Sequence, residues 1–105
     1  SIQMQTITDW EMIICDDGSS DNTIEVVKEY QKNDKRIILI QNDKNRGLSY
    51  TLNRCLEFAK AEYCARMDGD DLCSPNRFEI QLKFLENHPE YSFVSSTIKR
   101  FDEAG

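Results

Sequence analysis

Residues 12–23, M-I-I-C-D-D-G-S-S-D-N-T, carry the strongest signal of the fold class in this chain. The first four of them are apolar, and such a run is typical of a short strand buried on both faces of a sheet. The run stops at residues 16–18, Asp-Asp-Gly, and the apolar side chains then recur at helical intervals, at Ile24, Val27 and Tyr30. The stretch therefore predicts a strand, a polar loop and a helix.

The same order of elements repeats along the chain. Residues 36–41, R-I-I-L-I-Q, predict a second buried strand, and a polar turn at residues 42–47 precedes a second amphipathic helix. The apolar stripe of that helix consists of Leu48, Leu52, Cys55, Leu56 and Ala59. Residues 63–67 predict a third strand, and the alternating segment 91–101 predicts a fourth.

Two helices have sequence signals at their ends. Residues 20–22 offer three N-cap candidates for the first helix, and Glu25 is placed to complete a capping box on Asn22. Ser74-Pro75 predicts the start of the third helix, with Ser as N-cap and Pro at the first helical position. His88-Pro89 predicts its end, with His88 as a C-terminal cap.

Strands that alternate with helices are typical of βαβ units and a mostly parallel sheet. We therefore expect an α/β fold over residues 1–105, with helices flanking the sheet, in a single domain. The chain has 13 basic and 19 acidic side chains, a net charge of −6, which disfavours nucleic acid as a partner because phosphate binding needs clustered Lys and Arg.

The four cysteines, which form no C-x-x-C pair, predict reduced thiols in a cytosolic protein. The chain has no run of about 18 apolar residues that would predict a membrane span. A basic segment followed by an apolar stretch, the signature of a signal peptide, does not open the sequence.

Glycines and carboxylates follow the predicted strands. Gly18, Gly47 and Gly69 each lie in the polar segment after a strand, where glycine permits positive φ and a close approach of the backbone to a ligand. Ligands of open α/β sheets bind outside the carboxyl ends of the strands. We therefore expect five carboxylates to share one edge of the sheet, those of Asp16, Asp17, Asp68, Asp70 and Asp71.

The segment Asp68-Gly69-Asp70 is a D-x-D arrangement whose oxygen ligands suit Mg²⁺ or Mn²⁺. Such an ion keeps open positions for substrate phosphate oxygens. Short acidic triplets also occur by chance in surface loops, so the motif alone is a weak signal. Its position after a strand and before a capped helix favours a metal site.

Two other polar segments each allow two interpretations. Asp16-Asp17-Gly18 forms only a tight turn in one, whereas in the other Asp17 accepts a hydrogen bond from a donor nucleotide, such as the imide N–H of uracil. Asn45-Arg46-Gly47 is either a loop with a solvated Arg46 or a phosphate or base contact at a helix N-terminus.

Three motifs occur in order: D-D-G-S-S-D-N-T at residues 16–23, N-R-G-L at residues 45–48 and A-R-M-D-G-D-D-x-x-x-P-N-R-F-E-x-Q at residues 65–81. Together they make the chain resemble the family 2 glycosyltransferases with a GT-A fold, which is Rossmann-like. The resemblance implies an inverting transfer of a sugar from a nucleotide diphosphate, with UDP as the best single guess. It also implies Mn²⁺ or Mg²⁺ as cofactor and a glycan or lipid-linked acceptor.

The resemblance also implies residue roles. Asp17 would contact the nucleobase, Asp68 would lie against the ribose, and Asp70 would hold the metal with Asp68 as the second candidate ligand. Asn45, Arg46 and Gly47 would belong to the nucleotide site. Asp16 matches its motif and is grouped with that site, and Asp71 also matches its motif. Members of this kind build bacterial surface polysaccharides from the cytoplasmic side, at the inner face of the membrane.

Two departures from the family pattern matter. Many members have Arg five residues after the glycine of the N-x-G segment, where this chain has Leu52. The opening strand of the family and its acceptor half, with the Asp expected as general base, have no counterpart here, so we expect a GT-A domain truncated at both ends. The general base would then lie beyond Gly105, and the fragment alone would be inactive.

A chain that lacks a central strand exposes unpaired backbone groups, so we expect a homodimer or strand pairing across the gap. Two other functions fit the sequence in part. One is a non-catalytic nucleotide-binding or interaction module. The other is a nucleotidyltransferase, which would normally have a Gly-rich, basic phosphate loop near its start.

Overall fold

A computed structural model of the chain describes residues 1–101. Within them the regular elements are a 3₁₀ turn at Ile2–Met4, strand β1 (Met12–Asp16), helix α1 (Thr23–Asn33), strand β2 (Ile37–Gln41), helix α2 (Leu48–Phe58) and helix α3 (Arg77–Asn87). These elements belong to two compact units. Residues 9–64 form one, and residues 1–8 together with the chain from residue 65 onward form the other.

The first unit is a βαβα arrangement around a parallel pair of strands. Met12 of β1 lies opposite Ile37 of β2, and Asp16 lies opposite Gln41. Helix α1 packs on β2, and helix α2 packs on β1. The structure therefore confirms the predicted α/β class and the parallel pairing. It also places the polar segments that follow β1 and β2 side by side, because parallel strands end at the same edge.

The apolar side chains of both strands are less covered than their sequences predict. Ile37, at 4% exposure, is the only buried apolar side chain among residues 1–101, and the residues of β1 before Asp16 are half-buried. The prediction of strands buried on both faces is therefore wrong for the described residues, since the sheet they form has two strands.

The amino ends of the strands are held by a different kind of contact. The Arg36 guanidinium lies 3.7 Å from the centroid of the Trp10 ring, a cation–π geometry. The same guanidinium donates to both carboxylate oxygens of Asp34, at 2.9 and 2.8 Å. These three residues stabilise the end of the sheet that is remote from the polar loops.

Two predicted strands are not formed. Residues 63–67 and 91–101 have no strand structure, although their sequences are apolar or alternating. A strand needs a neighbouring backbone to pair with, and neither segment has one among residues 1–101. The Arg66 carbonyl accepts instead from the Arg77 side chain at 3.0 Å, and Phe93 and Ile98 are more than 80% exposed. The predictions of a third and a fourth strand are therefore wrong.

The helix ends agree with the sequence in part. Asn22 is the N-cap of α1, but its side chain makes no cap hydrogen bond, so the capping box with Glu25 does not form. The Thr23 N–H donates to Asp21 Oδ1 at 3.1 Å. At the other end of the chain, His88 is the C-cap of α3, and its Nδ1 lies 2.8 Å from the Phe84 carbonyl oxygen. The prediction of a C-terminal cap at His88 is confirmed.

Helix α3 begins later than Ser74-Pro75 predicts. Its N-cap is Asn76, and the Ser74 carbonyl accepts the Arg77 N–H at 3.1 Å in a turn that precedes the helix. The Ser74 carbonyl also accepts from the side chain of Gln5 at 2.7 Å. The turn is therefore fixed by a residue remote in sequence, which a local capping signal does not contain.

The four cysteines all carry free thiols, as the sequence predicts. Burial raises the pKa of Cys15 and of Cys55 above the ordinary thiol value, so neither favours the reactive thiolate form. Within residues 1–101, every helix is too short or too polar to cross a membrane.

Candidate functional site

Asp17 connects the two polar loops at the carboxyl edge of the sheet. Its Oδ1 accepts the N–H of Arg46 at 2.7 Å and the side-chain amide of Asn42 at 2.9 Å. Its Oδ2 accepts the N–H of Gly47 at 3.0 Å. The structure therefore brings together three residues that the sequence assigns to the nucleotide site: Asp17, Arg46 and Gly47.

These hydrogen bonds keep Asp17 ionised. The backbone N–H of Arg46, followed by the side-chain amide of Asn42, holds the pKa of Asp17 below its ordinary value. The Gly47 N–H and, as the smallest contribution, the Thr51 side chain lower the same pKa further. The carboxylate is therefore held in one orientation and keeps its negative charge, which suits it to accept from an N–H donor of a ligand.

The loop that contains Asp17 lies against the loop that precedes α2. Gly18 adopts a φ of 77°, and a Cβ added there would lie 3.0 Å from the backbone nitrogen of Asn45. Gly47, the N-cap of α2, has a φ of 91°. Only glycine adopts such angles at low cost, so both glycines are used as predicted. Gly69 has no positive φ, and the prediction is wrong at that position.

The Asp16 side chain accepts a hydrogen bond from its own loop, whereas Asp17 accepts from the loop after β2. It is 7% exposed, and its Oδ2 accepts the N–H of Ser19 at 3.1 Å. Its backbone carbonyl accepts the N–H of Asn42 at 2.9 Å, which extends the parallel pairing by one residue beyond β2. Asp16 thus shapes the loop in which Asp17 lies.

The side chain of Arg46 is held by an acidic neighbour. Its guanidinium donates to the two carboxylate oxygens of Asp43 at 2.9 and 2.8 Å, and it lies 5.5 Å from the ring centroid of Tyr50. The hydrogen bond from Arg46 lowers the pKa of Asp43 below its ordinary value. Arg46 is therefore paired within its own loop, and its contact with a phosphate or a base stays a prediction.

The central residue of these loops, Asn42, was not identified as a site residue by the sequence. Its side chain is 8% exposed. Asn42 is the first residue after β2, just as Asp17 is the first residue after β1. Its amide nitrogen donates to Asp17 and to the Thr51 hydroxyl, and its amide oxygen accepts from Arg54 at 3.1 Å. Its position directly after a predicted strand was the sequence signal that could have identified it as a site residue.

The second unit contains an acidic turn at residues 68–71. The carboxylate oxygens of Asp68, Asp70 and Asp71 all lie within 4.8 Å of one another, and all three side chains are exposed. The Asp71 N–H donates to the Asp68 carbonyl at 3.1 Å, which closes the turn. An Arg66 Nη lies 3.5 Å from an Asp68 carboxylate oxygen.

The acidic turn fits a hard divalent cation. Its donors are carboxylate oxygens, the ligand type that Mg²⁺ and Mn²⁺ prefer, and three of them converge. The sequence predicted Asp68 and Asp70 as metal ligands, and the structure adds Asp71 to the same cluster. That Asp17 and the acidic turn share one edge of the sheet stays a prediction.

The segment after the acidic turn is fixed by Gln5. This residue is 4% exposed, its amide nitrogen donates to the Ser74 carbonyl at 2.7 Å, and its amide oxygen accepts the Phe78 N–H at 3.0 Å. The start of α3 is therefore bound to residues 1–8, so the acidic turn precedes an anchored segment.

The comparison with known protein families identifies the chain. The family model described as "Glycosyl transferase family 2" matches residues 1–105. The chain belongs to glycosyl transferase family 2. The resemblance found in the three motifs is thereby confirmed.

The names of individual relatives of the chain also describe glycosyltransferases. EpsE of Bacillus subtilis, whose name describes a glycosyltransferase, is 46% identical over 106 residues, which cover 100% of this chain and 38% of EpsE. The amylovoran biosynthesis glycosyltransferase AmsE of Erwinia amylovora is 34% identical over 105 residues, 100% of this chain and 40% of AmsE.

A third relative has a donor and an acceptor in its name. It is the UDP-Glc:alpha-D-GlcNAc-diphosphoundecaprenol beta-1,3-glucosyltransferase WfgD of Escherichia coli, 36% identical over 85 residues, 81% of this chain and 33% of WfgD. The chain spans well under half the length of these three curated relatives.

Proposed function

We propose that the protein is an inverting glycosyltransferase that takes a sugar from a nucleotide diphosphate, best a UDP-sugar, and transfers it to a glycan or lipid-linked acceptor. The membership of the chain in glycosyl transferase family 2 supports the transferase class. The names of AmsE and WfgD support a role in surface polysaccharide synthesis. We place the reaction on the cytoplasmic side, at the inner face of the membrane.

The observation that carries the proposal is the acidic turn. Three exposed carboxylates converge within 4.8 Å, and they lie within the residues that the family model matches. Two unit charges about 4 Å apart repel by roughly 4 kcal/mol at an effective dielectric of 20. A divalent cation held by these carboxylates would offset the repulsion and would supply a positive charge that attracts the diphosphate of the donor.

The residue roles follow from the two loops and the turn. Asp70 and Asp68 would hold Mn²⁺ or Mg²⁺, and Asp68 would also lie against the ribose. Asp17 would accept a hydrogen bond from the nucleobase, because the carboxylate is ionised and its Oδ2 accepts one backbone N–H, from Gly47. Four residues would shape the nucleotide site around Asp17: Asp16, Asn45, Arg46 and Gly47.

The chemistry divides between this chain and the rest of the protein. When bound, the cation neutralises charge that develops on the departing diphosphate. The residues of this chain orient the donor nucleotide and exclude alternative bases. We place the general base, which takes the proton of the acceptor hydroxyl, beyond Gly105.

The test is a calorimetric binding screen of the whole protein against UDP, GDP and dTDP, each with Mn²⁺ and with EDTA. We expect one of the three to bind in a Mn²⁺-dependent manner, and Asp70→Ala to remove that binding. The matched control is Glu90→Ala, which removes another exposed carboxylate of the same unit and leaves binding unchanged.

Two results would contradict the proposal. One is the absence of Mn²⁺-dependent heat with all three nucleotides. The other is equal binding by Asp70→Ala and the unchanged protein. The predicted homodimer is measured separately, by light scattering of the whole protein in solution.

A further inference from the structure

Asn42 makes four side-chain hydrogen bonds, as many as an amide can form. The amide nitrogen donates to Asp17 Oδ1 at 2.9 Å and to Thr51 Oγ1 at 3.0 Å. The amide oxygen accepts from Arg54 Nη1 at 3.1 Å and from Cys15 Sγ at 3.5 Å. An amide has two donors and two acceptor lone pairs, so this side chain is fully satisfied.

The surroundings determine which end of the amide faces Asp17. The Arg54 guanidinium donates both to the Asn42 oxygen and to the Gln41 carbonyl, each at 3.1 Å, so a cation fixes the oxygen end. A flipped amide would place its oxygen against the Asp17 carboxylate and its nitrogen against Arg54. Both contacts would be repulsive, and therefore only one orientation is stable.

The backbone of Asn42 is equally constrained. Its N–H donates to the Asp16 carbonyl at 2.9 Å, and its side chain is 8% exposed. Two fixed donors, the Asn42 amide and the Arg46 N–H, thus occupy Oδ1 of Asp17. The carboxylate cannot rotate without breaking both bonds, so the position of Oδ2, which accepts the Gly47 N–H at 3.0 Å, is fixed as well.

We propose that Asn42 is a positioning residue that sets nucleobase specificity by fixing the rotation of the Asp17 carboxylate, so that one Oδ2 lone pair faces a ring N–H of the donor nucleotide. This inference rests on the proposed function, since it assumes that Asp17 contacts the base. Asn42 itself touches no substrate. A ligand without a base, such as inorganic diphosphate, gains nothing from this arrangement.

The test measures dissociation constants of the whole protein for UDP and for inorganic diphosphate, both with Mn²⁺. We expect Asn42→Ala to weaken UDP binding about tenfold, the effect of a lost charge-assisted hydrogen bond, and to change diphosphate binding by less than about twofold. The matched control is Asn33→Ala, which removes an exposed amide that donates to the Glu29 carbonyl. It leaves both constants unchanged.

A second variant guards against unfolding of Asn42→Ala. Asn42→Asp keeps the size of the side chain and the contact with Arg54 but replaces the donor to Asp17 with an oxygen. We expect it to weaken UDP binding at least as much. In the background of Asp17→Ala, neither substitution at position 42 should weaken UDP binding further, because Asn42 acts through Asp17.

The outcomes separate this inference from the proposed function. If Asp17→Ala weakens UDP binding but both Asn42 variants bind UDP normally, the inference is overturned and the role of Asp17 stands. If the Asn42 substitutions weaken the binding of UDP and of diphosphate equally, Asn42 has a general structural role and the inference is overturned. The same holds if they weaken UDP binding further in the Asp17→Ala background. If Asp17→Ala binds UDP normally, the nucleobase contact of the proposed function is wrong.

Discussion

The Asp17 loops (residues 16–18 and 42–47) and the acidic turn (residues 68–71) are both rich in carboxylates but differ in how those carboxylates are satisfied. Asp16, Asp17 and Asp43 each accept from donors of the protein itself. In the acidic turn, the described residues supply one side-chain donor, from Arg66 to Asp68 at 3.5 Å. The first region is preorganised by protein hydrogen bonds, and the second has acceptor oxygens that a cation can use.

This difference indicates that the two regions recognise different parts of a ligand. A carboxylate that several protein donors hold in place accepts from a fixed direction, which suits a contact with a planar ring. Three exposed carboxylates within 4.8 Å offer many oxygens and little direction, which suits an ion that brings its own coordination geometry. Substitutions in the two regions should therefore have different effects.

The largest expected difference is between Asp70→Ala and Asp17→Ala. Asp70→Ala should weaken Mn²⁺-dependent UDP binding about 100-fold or more and change the free energy of unfolding by less than about 0.5 kcal/mol, because the Asp70 side chain is exposed and makes no hydrogen bond or ion pair within residues 1–101. Asp17→Ala should weaken UDP binding and also destabilise the protein. Calorimetry and chemical denaturation measure both effects. Equal destabilisation by the two variants would contradict the comparison.

The next largest effect is on stability, when a glycine in each of the two regions is replaced by alanine. Gly18→Ala should destabilise the protein by about 1 to 3 kcal/mol, because its φ is 77° and the new Cβ would lie 3.0 Å from the Asn45 nitrogen. The matched control, Gly69→Ala, meets no atom within 4 Å and should cost less than about 0.5 kcal/mol. Urea denaturation of both variants measures this difference, and a reversed order would overturn it.

A smaller effect appears in the pH dependence of stability. The folded pKa of Asp17 lies below the unfolded value of about 3.9, so its contribution is fully present above that pH and is lost as the pH falls through the folded pKa. Denaturation of the unchanged protein and of Asp17→Asn between about pH 2 and pH 6 measures it. The stability advantage over Asp17→Asn should shrink below about pH 4; an advantage that persists to the lowest pH would contradict the assignment.

The smallest effect should come from Arg66→Gln. The ion pair with Asp68 has an N–O distance of 3.5 Å, and both side chains are more than half exposed. Exposed pairs of this kind contribute about 0 to 1 kcal/mol, so the free energy of unfolding should change by less than about 0.5 kcal/mol. A larger loss, measured by urea denaturation, would show that the acidic turn depends on a protein cation for its stability.

The sequence predicted the elements whose signal is local. The apolar runs of β1 and β2 and the helical stripes of α1 and α2 lie within a few residues of where they were expected. The predicted strands at residues 63–67 and 91–101 failed because pairing depends on a partner strand and not on the segment itself. The start of α3 depends on Gln5, which is 69 residues away from its partner Ser74.

The candidate site divides in the same way. Asp17, Arg46 and Gly47 were predicted from motifs, and the structure joins them by hydrogen bonds. The position of Asn42 directly after a predicted strand was visible in the sequence, but its contact with Asp17 was not, because that contact depends on the register that places the end of β2 beside the end of β1. Arg54 reaches Asn42 only through the packing of α2 on that sheet.

The most direct test is a crystal structure of the whole protein with UDP and Mn²⁺, in which anomalous scattering locates the ion. We predict that a carboxylate oxygen of Asp70 coordinates Mn²⁺ at about 2.1 Å and that Asp17 Oδ2 accepts a ring N–H of the base at about 2.9 Å. An ion bound away from residues 68–71, or a base that makes no contact with Asp17, would contradict the central claim.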